Sequence, residues 1–234
     1  MTNIAKGIKI IDASLYLREE KTIVIGDLHL GLEDSYVNRG TFLPKQQYNW
    51  IHNNILKILE SVDVKRIIIN GDLKHEFSKI NKQEWTDVYK FLNFLSEGYD
   101  VEIILGNHDV MMKKILKEQG YNIKDYICFS NIILLHGDVI PEEALNKDMV
   151  IIGHEHPSVC IKEGAKVEKY KCFIKGMWRD KVLIVMPSFN PLIEGNDILT
   201  RNFLSPFIKK DISDFKLFVV GNKVYNFGKV KNLS

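Results

Sequence analysis

Five short apolar runs in this 234-residue chain each end in side chains that can hold a cation or move a proton. Thr22–Ile25 leads into Gly26-Asp27-Leu28-His29, and Arg66–Asn70 into Gly71-Asp72-Leu73-Lys74-His75. Val101–Leu105 leads into Gly106-Asn107-His108-Asp109, Ile132–Leu135 into His136-Gly137-Asp138, and Met149–Ile152 into Gly153-His154-Glu155-His156. Of the seven histidines, only His52 lies outside these clusters. A lone histidine is more often a hydrogen-bonded core or surface residue than a ligand. Six of them at five run ends, beside Asp27, Asp72 and Asn107, make that bland reading weak. Imidazole, carboxylate and amide donors without a thiolate suit manganese, iron or zinc. The donors are too many for one ion, and they fit two ions ~3.5–4 Å apart, the spacing of two-metal phosphoester hydrolases.

The elements that must position these residues follow from the hydropathy pattern. The five runs read as buried strands, Thr22–Gly26 being the first. Pro44–Val62 reads as a helix with Ile51, Ile55, Ile58, Leu59 and Val62 on one face. Asn81–Glu97 reads as a second helix, with Asn81 and Glu84 at capping-box spacing and an inward stripe of Trp85, Val88, Leu92 and Leu95. Strands separated by helices imply an α/β fold with a largely parallel sheet. If the five strands lie side by side, all five polar clusters converge just beyond their carboxyl ends, where open α/β sheets bind ligands. Gly26, Gly71, Gly106 and Gly153 sit at strand exits, where a sharp turn or close backbone approach excludes a Cβ. Val167–Ile174, Val182–Met186, Lys216–Val220 and Lys223–Phe227 read as further strands, with Gly221-Asn222 as a hairpin turn, suggesting a second, more antiparallel sheet.

Composition narrows the class. With 45% hydrophobic and 26% charged residues the chain is an ordinary globular one, and residues 1–234 are expected to form one domain. No apolar run approaches the ~20 residues that span a bilayer, so no membrane role is expected. Lys6 and Lys9 stand where a secretory signal would place its apolar core. Cys128, Cys160 and Cys172 show no CxxC spacing, which excludes a disulfide framework and suits a cytoplasmic location. The net charge of +2 is unevenly placed, −5 over residues 1–156 and +7 over residues 157–234. Residues 157–181 begin beside His154 and His156 and read as a hairpin or loop bordering the site. Their lysines, notably Lys169, Lys171 and Lys175, form a basic border suited to a phosphate backbone. A solvated lysine-rich surface is the plain alternative.

The series D-x-H, G-D, G-N-H-D, H and G-H-x-H, from Asp27 to His156, resembles the calcineurin-like metallophosphoesterases. The resemblance implies a four-layer αββα sandwich with two mixed sheets flanked by helices. It implies one metal on Asp27, His29, Asp72 and His156, and another on Asp72, Asn107, His136 and His154, with Asp72 bridging. Manganese is the expected metal, with iron, nickel or zinc as alternatives. His108 matches the family's catalytic histidine and Asp109 its orienting partner. His75, three residues after the bridging aspartate, looks like the second functional histidine of Mre11-type nucleases. Segment 186–197, MPSFNPLIEGND, is similar to archaeal phosphoesterases related to SbcD and Mre11, and to bacterial phosphoesterases associated with a DNA ligase. The 78 residues after His156 are too few for a DNA-capping domain and a Rad50-binding tail, so no Rad50-like partner is expected. The oligomeric state is not indicated.

The implied activity is hydrolysis of phosphodiester bonds by a metal-activated hydroxide, nuclease-like on DNA. His108 would stabilise the transition state or protonate the leaving alkoxide, and Asp109 would hold its tautomer. Asp138 and Glu155 read as supporting or solvent residues. Trp178, Met186, Phe189 and Phe203 read as packing rather than as a substrate groove. One alternative is an enzyme for small phosphodiesters or nucleotides. Another is an inactive scaffold of the same fold, which predicts eroded ligands, and none is eroded here.

Overall fold

The computed structural model describes residues 1–38, 40–41, 44–77, 82–208 and 211–233. The first sheet takes its strands in chain order: β1 (Thr2–Ala5), β2 (Ile8–Ile11), β3 (Ser14–Leu17), β4 (Thr22–Gly26), β5 (Arg66–Asn70), β6 (Asp100–Ile104) and β7 (Asn122–Lys124). β1 to β4 form an antiparallel meander, and β4 to β7 are parallel. The crossovers between the parallel strands carry the α-helices α1 (Leu32–Asn38), α2 (Gln47–Ser61), α3 (Lys82–Ser96) and α4 (Lys113–Glu118).

The second sheet contains β8 (Tyr126–Phe129), β9 (Ile132–Leu135), β10 (Met149–Ile152), β11 (Pro157–Glu163), β12 (Lys166–Trp178), β13 (Lys181–Val185), β14 (Asn196–Asp197), β15 (Lys216–Val220) and β16 (Val224–Lys229). Its order is β14-β11-β12-β13-β10-β9-β8, with β15 added to β12 and β16 to β15. β9, β10 and β13 are parallel, and the hairpins on either side are antiparallel. Residues 157–178 are thus a hairpin, as their sequence suggests.

The two sheets pack face to face, which explains the unbroken apolar runs. A strand covered on both faces has no solvent side, so its side chains alternate between two dry layers. Val24, Ile68 and Ile104 meet Leu134, Ile151 and Ile184 between the sheets. Ile23, Ile25, Ile67, Ile69 and Ile103 face the other way, onto Ile51, Ile55, Val88, Phe91 and Leu92 of α2 and α3. On the second sheet, Ile133, Val150, Ile152 and Leu183 face outward beneath Ala144, Ile198, Phe207, Ile212 and Phe215. Among the described residues this outermost layer consists of short 3-10 helices (Glu142–Asn146, Ile198–Thr200) and irregular chain. Pro206, which has no amide hydrogen, stands within it.

Two details differ from the sequence reading. The five chemistry-bearing strands do not lie side by side: β4, β5 and β6 belong to one sheet, β9 and β10 to the other. Both sets are parallel, and their carboxyl ends meet across the sandwich edge. α2 starts at Gln47 rather than Pro44, because its first turn is capped from outside. The Glu33 carboxylate accepts the Gln46 and Gln47 amides at 2.8 and 2.7 Å. α3 begins at Lys82; Asn81 and its expected cap lie outside the described residues. Glu84 is fully buried and accepts the His75 and Glu76 amides. No helix among the described residues is long and apolar enough to cross a membrane.

Candidate metal centre

The loops after β4 and β5 run together beyond the sheet edge. Asp27 N donates to Gly71 O, His29 N to Asp72 O and Leu30 N to Leu73 O, at 2.8–3.1 Å. A third strand-end loop, residues 188–190, braces the first. Ser188 Oγ donates to Asp27 O (2.7 Å) and Asn190 Nδ2 to Leu28 O (2.9 Å). From α2, Gln47 Nε2 donates to His29 O at 2.8 Å. Asp27, His29, Asp72, His154 and His156 all have φ between 41° and 66°. Non-glycine residues rarely adopt this left-handed region, and such strain persists where surrounding bonds over-determine it.

These turns aim the side chains at one another. His29 Nε2 lies 3.5 Å from Asp72 Oδ2 and 3.3 Å from His156 Nε2, and His156 Nε2 lies 3.5 Å from Asp27 Oδ1. Across the cleft, His136 Nε2 lies 3.5 Å from Asp72 Oδ1, 2.9 Å from Asn107 Oδ1 and 3.0 Å from His154 Nδ1. Asp27, His29, Asp72 and His156 therefore form one tight group of donor atoms, and Asp72, His136 and His154 a second. Asp72 is common to both, and Asn107 stands beside the second. Glycine at the strand exits makes this closeness sterically feasible. A Cβ on Gly71 would lie 2.6 Å from His136 Cγ, and one on Gly153 2.6 Å from Asp27 Oδ2.

The electrostatics fit a cation cluster. Burial pushes the Asp72 carboxyl up to about 9, helped by the Asp27 and Asp109 carboxylates. Burial opposes ionisation of Asp27 too, but the attraction of the adjacent His156 outweighs it and holds that carboxyl below its usual range. Burial holds the imidazolium of His29 well below its ordinary range, brings His136 down to about 4 and lowers His154. These rings are neutral at neutral pH, so each offers a lone pair. Asp27 Oδ1 and His136 Nδ1 are buried without a hydrogen-bond partner, an expensive state for polar atoms in a protein interior. Two buried carboxylates, converging ring nitrogens and orphaned donors suit two divalent cations, with no thiolate to draw a softer metal.

His75 and His108 stand at the mouth, their ring centroids 5.6 and 4.8 Å from that of His29. The His108 amide donates to Asp72 Oδ1 at 3.0 Å, and its Nε2 lies 3.7 Å from Asp72 Oδ2. Its Nδ1 is hydrogen-bonded to His75 O. The expected pairing of His108 with the Asp109 carboxylate is therefore replaced. Asp109 is fully buried and accepts the Leu73, Lys74 and Gly106 amides at 3.0–3.2 Å, tying the β5 and β6 loops together. Burial raises its carboxyl to about 6 despite those bonds. Phe77, half exposed, packs on the His108 ring with centroids 3.5 Å apart.

The basic border is also corrected. Lys171 turns inward, its Nζ donating to Ser188 O at 2.7 Å and to Asn190 O. Lys175 Nζ donates to Ile4 O at 2.6 Å, and Lys169 lies 3.9 Å from Glu194. A lysine count along the chain does not reveal that neighbouring carbonyls claim two of the ammonium groups. Trp178, Met186 and Phe189 are buried core, as expected. Glu155 is buried and accepts the Ser205 amide, whereas Asp138 is exposed. Sequence reasoning missed the bracing roles of Glu33, Gln47, Ser188 and Asn190. The last two lie in segment 186–197, whose only signal was a resemblance.

Residues 20–221 match the calcineurin-like phosphoesterase family. No curated protein matches the chain. Among solved structures, Pseudomonas putida nuclease MPE superposes with a TM-score of 0.66 at 20% identity, covering 92% of each chain. Yfce, a phosphoesterase from E. coli, gives 0.40 at 14% identity, covering 91% of this chain and 94% of that one. Vacuolar Protein Sorting 29 from Cryptosporidium parvum gives 0.38 at 15%, covering 88% of each. The first shares the fold with this chain; the other two superpose too loosely to bear on it.

Proposed function

This chain belongs to the calcineurin-like phosphoesterases, and from that premise we propose that it hydrolyses phosphodiester bonds with two divalent cations. Asp27, His29, Asp72 and His156 would hold one cation, and Asp72, Asn107, His136 and His154 the other. The observation that carries the reading is the Asp72 carboxylate, shared between two groups of converging donors. Such a pair of cations supplies a water of lowered pKa and neutralises charge on the phosphoryl oxygens. Manganese suits this donor set and is the metal to test first.

The chain's own residues supply the proton chemistry. Nδ1 of His108 is anchored on His75 O, so Nε2 faces the cluster. Burial keeps this ring neutral, with its imidazolium down at about 4. An anionic phosphoryl group beside Nε2 favours the protonated ring, which can then deliver that proton to the leaving alkoxide. Asp109 acts through the backbone, holding the Asn107 and Asp72 loops in register. His75 orients His108 through its carbonyl and stands beside the reaction zone.

DNA is the first substrate we propose, in line with the nuclease whose fold this chain shares. Small phosphodiesters or nucleotides form the second reading, favoured by the engagement of Lys171 and Lys175 with backbone carbonyls. Assays with manganese against single-stranded DNA, duplex DNA, a cyclic nucleotide and an aryl phosphodiester separate the two. Cleavage of either DNA supports the first reading. Turnover of the small esters alone supports the second, and inactivity on all four overturns both.

A further inference from the structure

A cavity of about 510 Å³ opens against the metal centre on the side of Asn107 and His136. Leu105, Val110, Tyr126, Leu135, Val139 and Pro141 form its walls. They come from both sheets: Val110 from the turn after β6, Leu135 and Val139 from the end of β9 and beyond. Val110 is 68% exposed and Val139 65% exposed, so apolar surface faces water beside a site otherwise built of charge. Two carboxylates, Asp125 and Asp138, stand at the lining against one ammonium, Lys113, which already pairs with Asp125 at 3.3 Å.

We infer that this cavity is a subsite for the nucleoside portion of a phosphodiester. The inference rests on the phosphodiester reading above. The volume falls in the range of pockets that enclose small organic ligands, roughly 300–1,000 Å³. Apolar walls with a few polar groups suit a flat base and its sugar, and the acidic lining disfavours a further phosphate. Its placement also assigns a side. His29, His75 and His108 form a separate cluster of ring nitrogens and do not line the cavity. With His108 protonating the leaving oxygen, the cavity holds the ester group that stays on phosphorus.

Two esters with a common leaving group test this: the p-nitrophenyl ester of thymidine 5′-monophosphate and methyl p-nitrophenyl phosphate. Hydrolysis adds the oxygen of water to phosphorus, breaks its bond to nitrophenolate, and leaves the nucleotide in the cavity. The full-length protein with manganese should favour the nucleoside ester in kcat/KM by about tenfold or more, the range of discrimination that added pocket contacts provide. Val110→Trp and Val139→Trp fill the cavity from exposed positions. Each should abolish the preference while leaving the methyl ester's kcat/KM nearly unchanged. Turnover of the methyl ester with no nucleoside preference, or a preference that survives both substitutions, overturns the subsite alone. If neither ester is hydrolysed, calorimetry of the manganese-loaded protein decides the subsite, and the phosphodiester reading fails only where DNA and the cyclic nucleotide are left intact as well. Thymidine 5′-monophosphate binding more tightly than methyl phosphate, and losing that advantage in Val139→Trp, supports it. Equal affinities overturn it.

Discussion

Replacing Gly71 with alanine should separate backbone strain from damage to the candidate metal centre. Gly71 has φ +80°, and a Cβ there would lie 2.6 Å from His136 Cγ. His136 Nδ1 would be closer still, and a comfortable non-bonded contact is roughly 3.5–4.0 Å, so the ring must retreat by more than ~1 Å. His136 is buried, so little space is open to it. Gly120 supplies the control. Its φ is +82°, yet a methyl group added there would meet nothing within 4 Å. The left-handed conformation alone costs an L-residue about 1–2 kcal/mol. In a domain of this size 1 kcal/mol shifts Tm by about 2–4 °C, so Gly120→Ala should lose about 2–8 °C. Gly71→Ala should lose more. Titration calorimetry with manganese should find two sites in Gly120→Ala and one in Gly71→Ala. A 1 Å misplacement costs on the order of 10²-fold in rate, so phosphodiester turnover should fall by at least about that factor in Gly71→Ala only. If Gly71→Ala bound both ions and matched Gly120→Ala in rate, His136 would not be a ligand of the second cation.

Ligand and proton donor should also separate. Asp72→Asn removes the shared charge and should lose bound manganese in elemental analysis, whereas His108→Ala should retain both ions and lose about 10²–10⁴-fold in turnover. Lys171→Met leaves the Ser188 and Asn190 carbonyls without their buried donor, which should cost about 1–3 kcal/mol in urea unfolding. Burial lowers the Lys171 ammonium from 10.5 to about 8, so between those values the unfolded chain binds the extra proton and stability rises with pH. The deficit of Lys171→Met relative to wild type should therefore widen from pH 8 to pH 10; a constant gap would show that the ammonium is not buried in the folded protein.

The sequence by itself determined which residues are chemical. Hydrophobic runs that must be buried announce strands, and the polar residues directly after them must stand at strand ends. Asp27, His29, Asp72, Asn107, His136, His154 and His156 could be grouped that way because the relation is local. The apolar stripes of α2 and α3 were legible for the same reason, since helical periodicity repeats every few residues. Only the tertiary structure decided how those strand ends meet. An apolar run buried on both faces carries no alternation to say which sheet it joins, so the division of β4, β5 and β6 from β9 and β10 was invisible. The direction of a long side chain is equally non-local. Lys171 reads as a surface cation until Ser188 and Asn190, far along the chain, bring their carbonyls to its ammonium. The family resemblance implies that Asp109 partners the neighbouring His108, but the fold brings the Leu73 and Lys74 amides within reach of its carboxylate. Covalent order sets what each residue can do, but a buried charge must find its counterpart wherever packing places one.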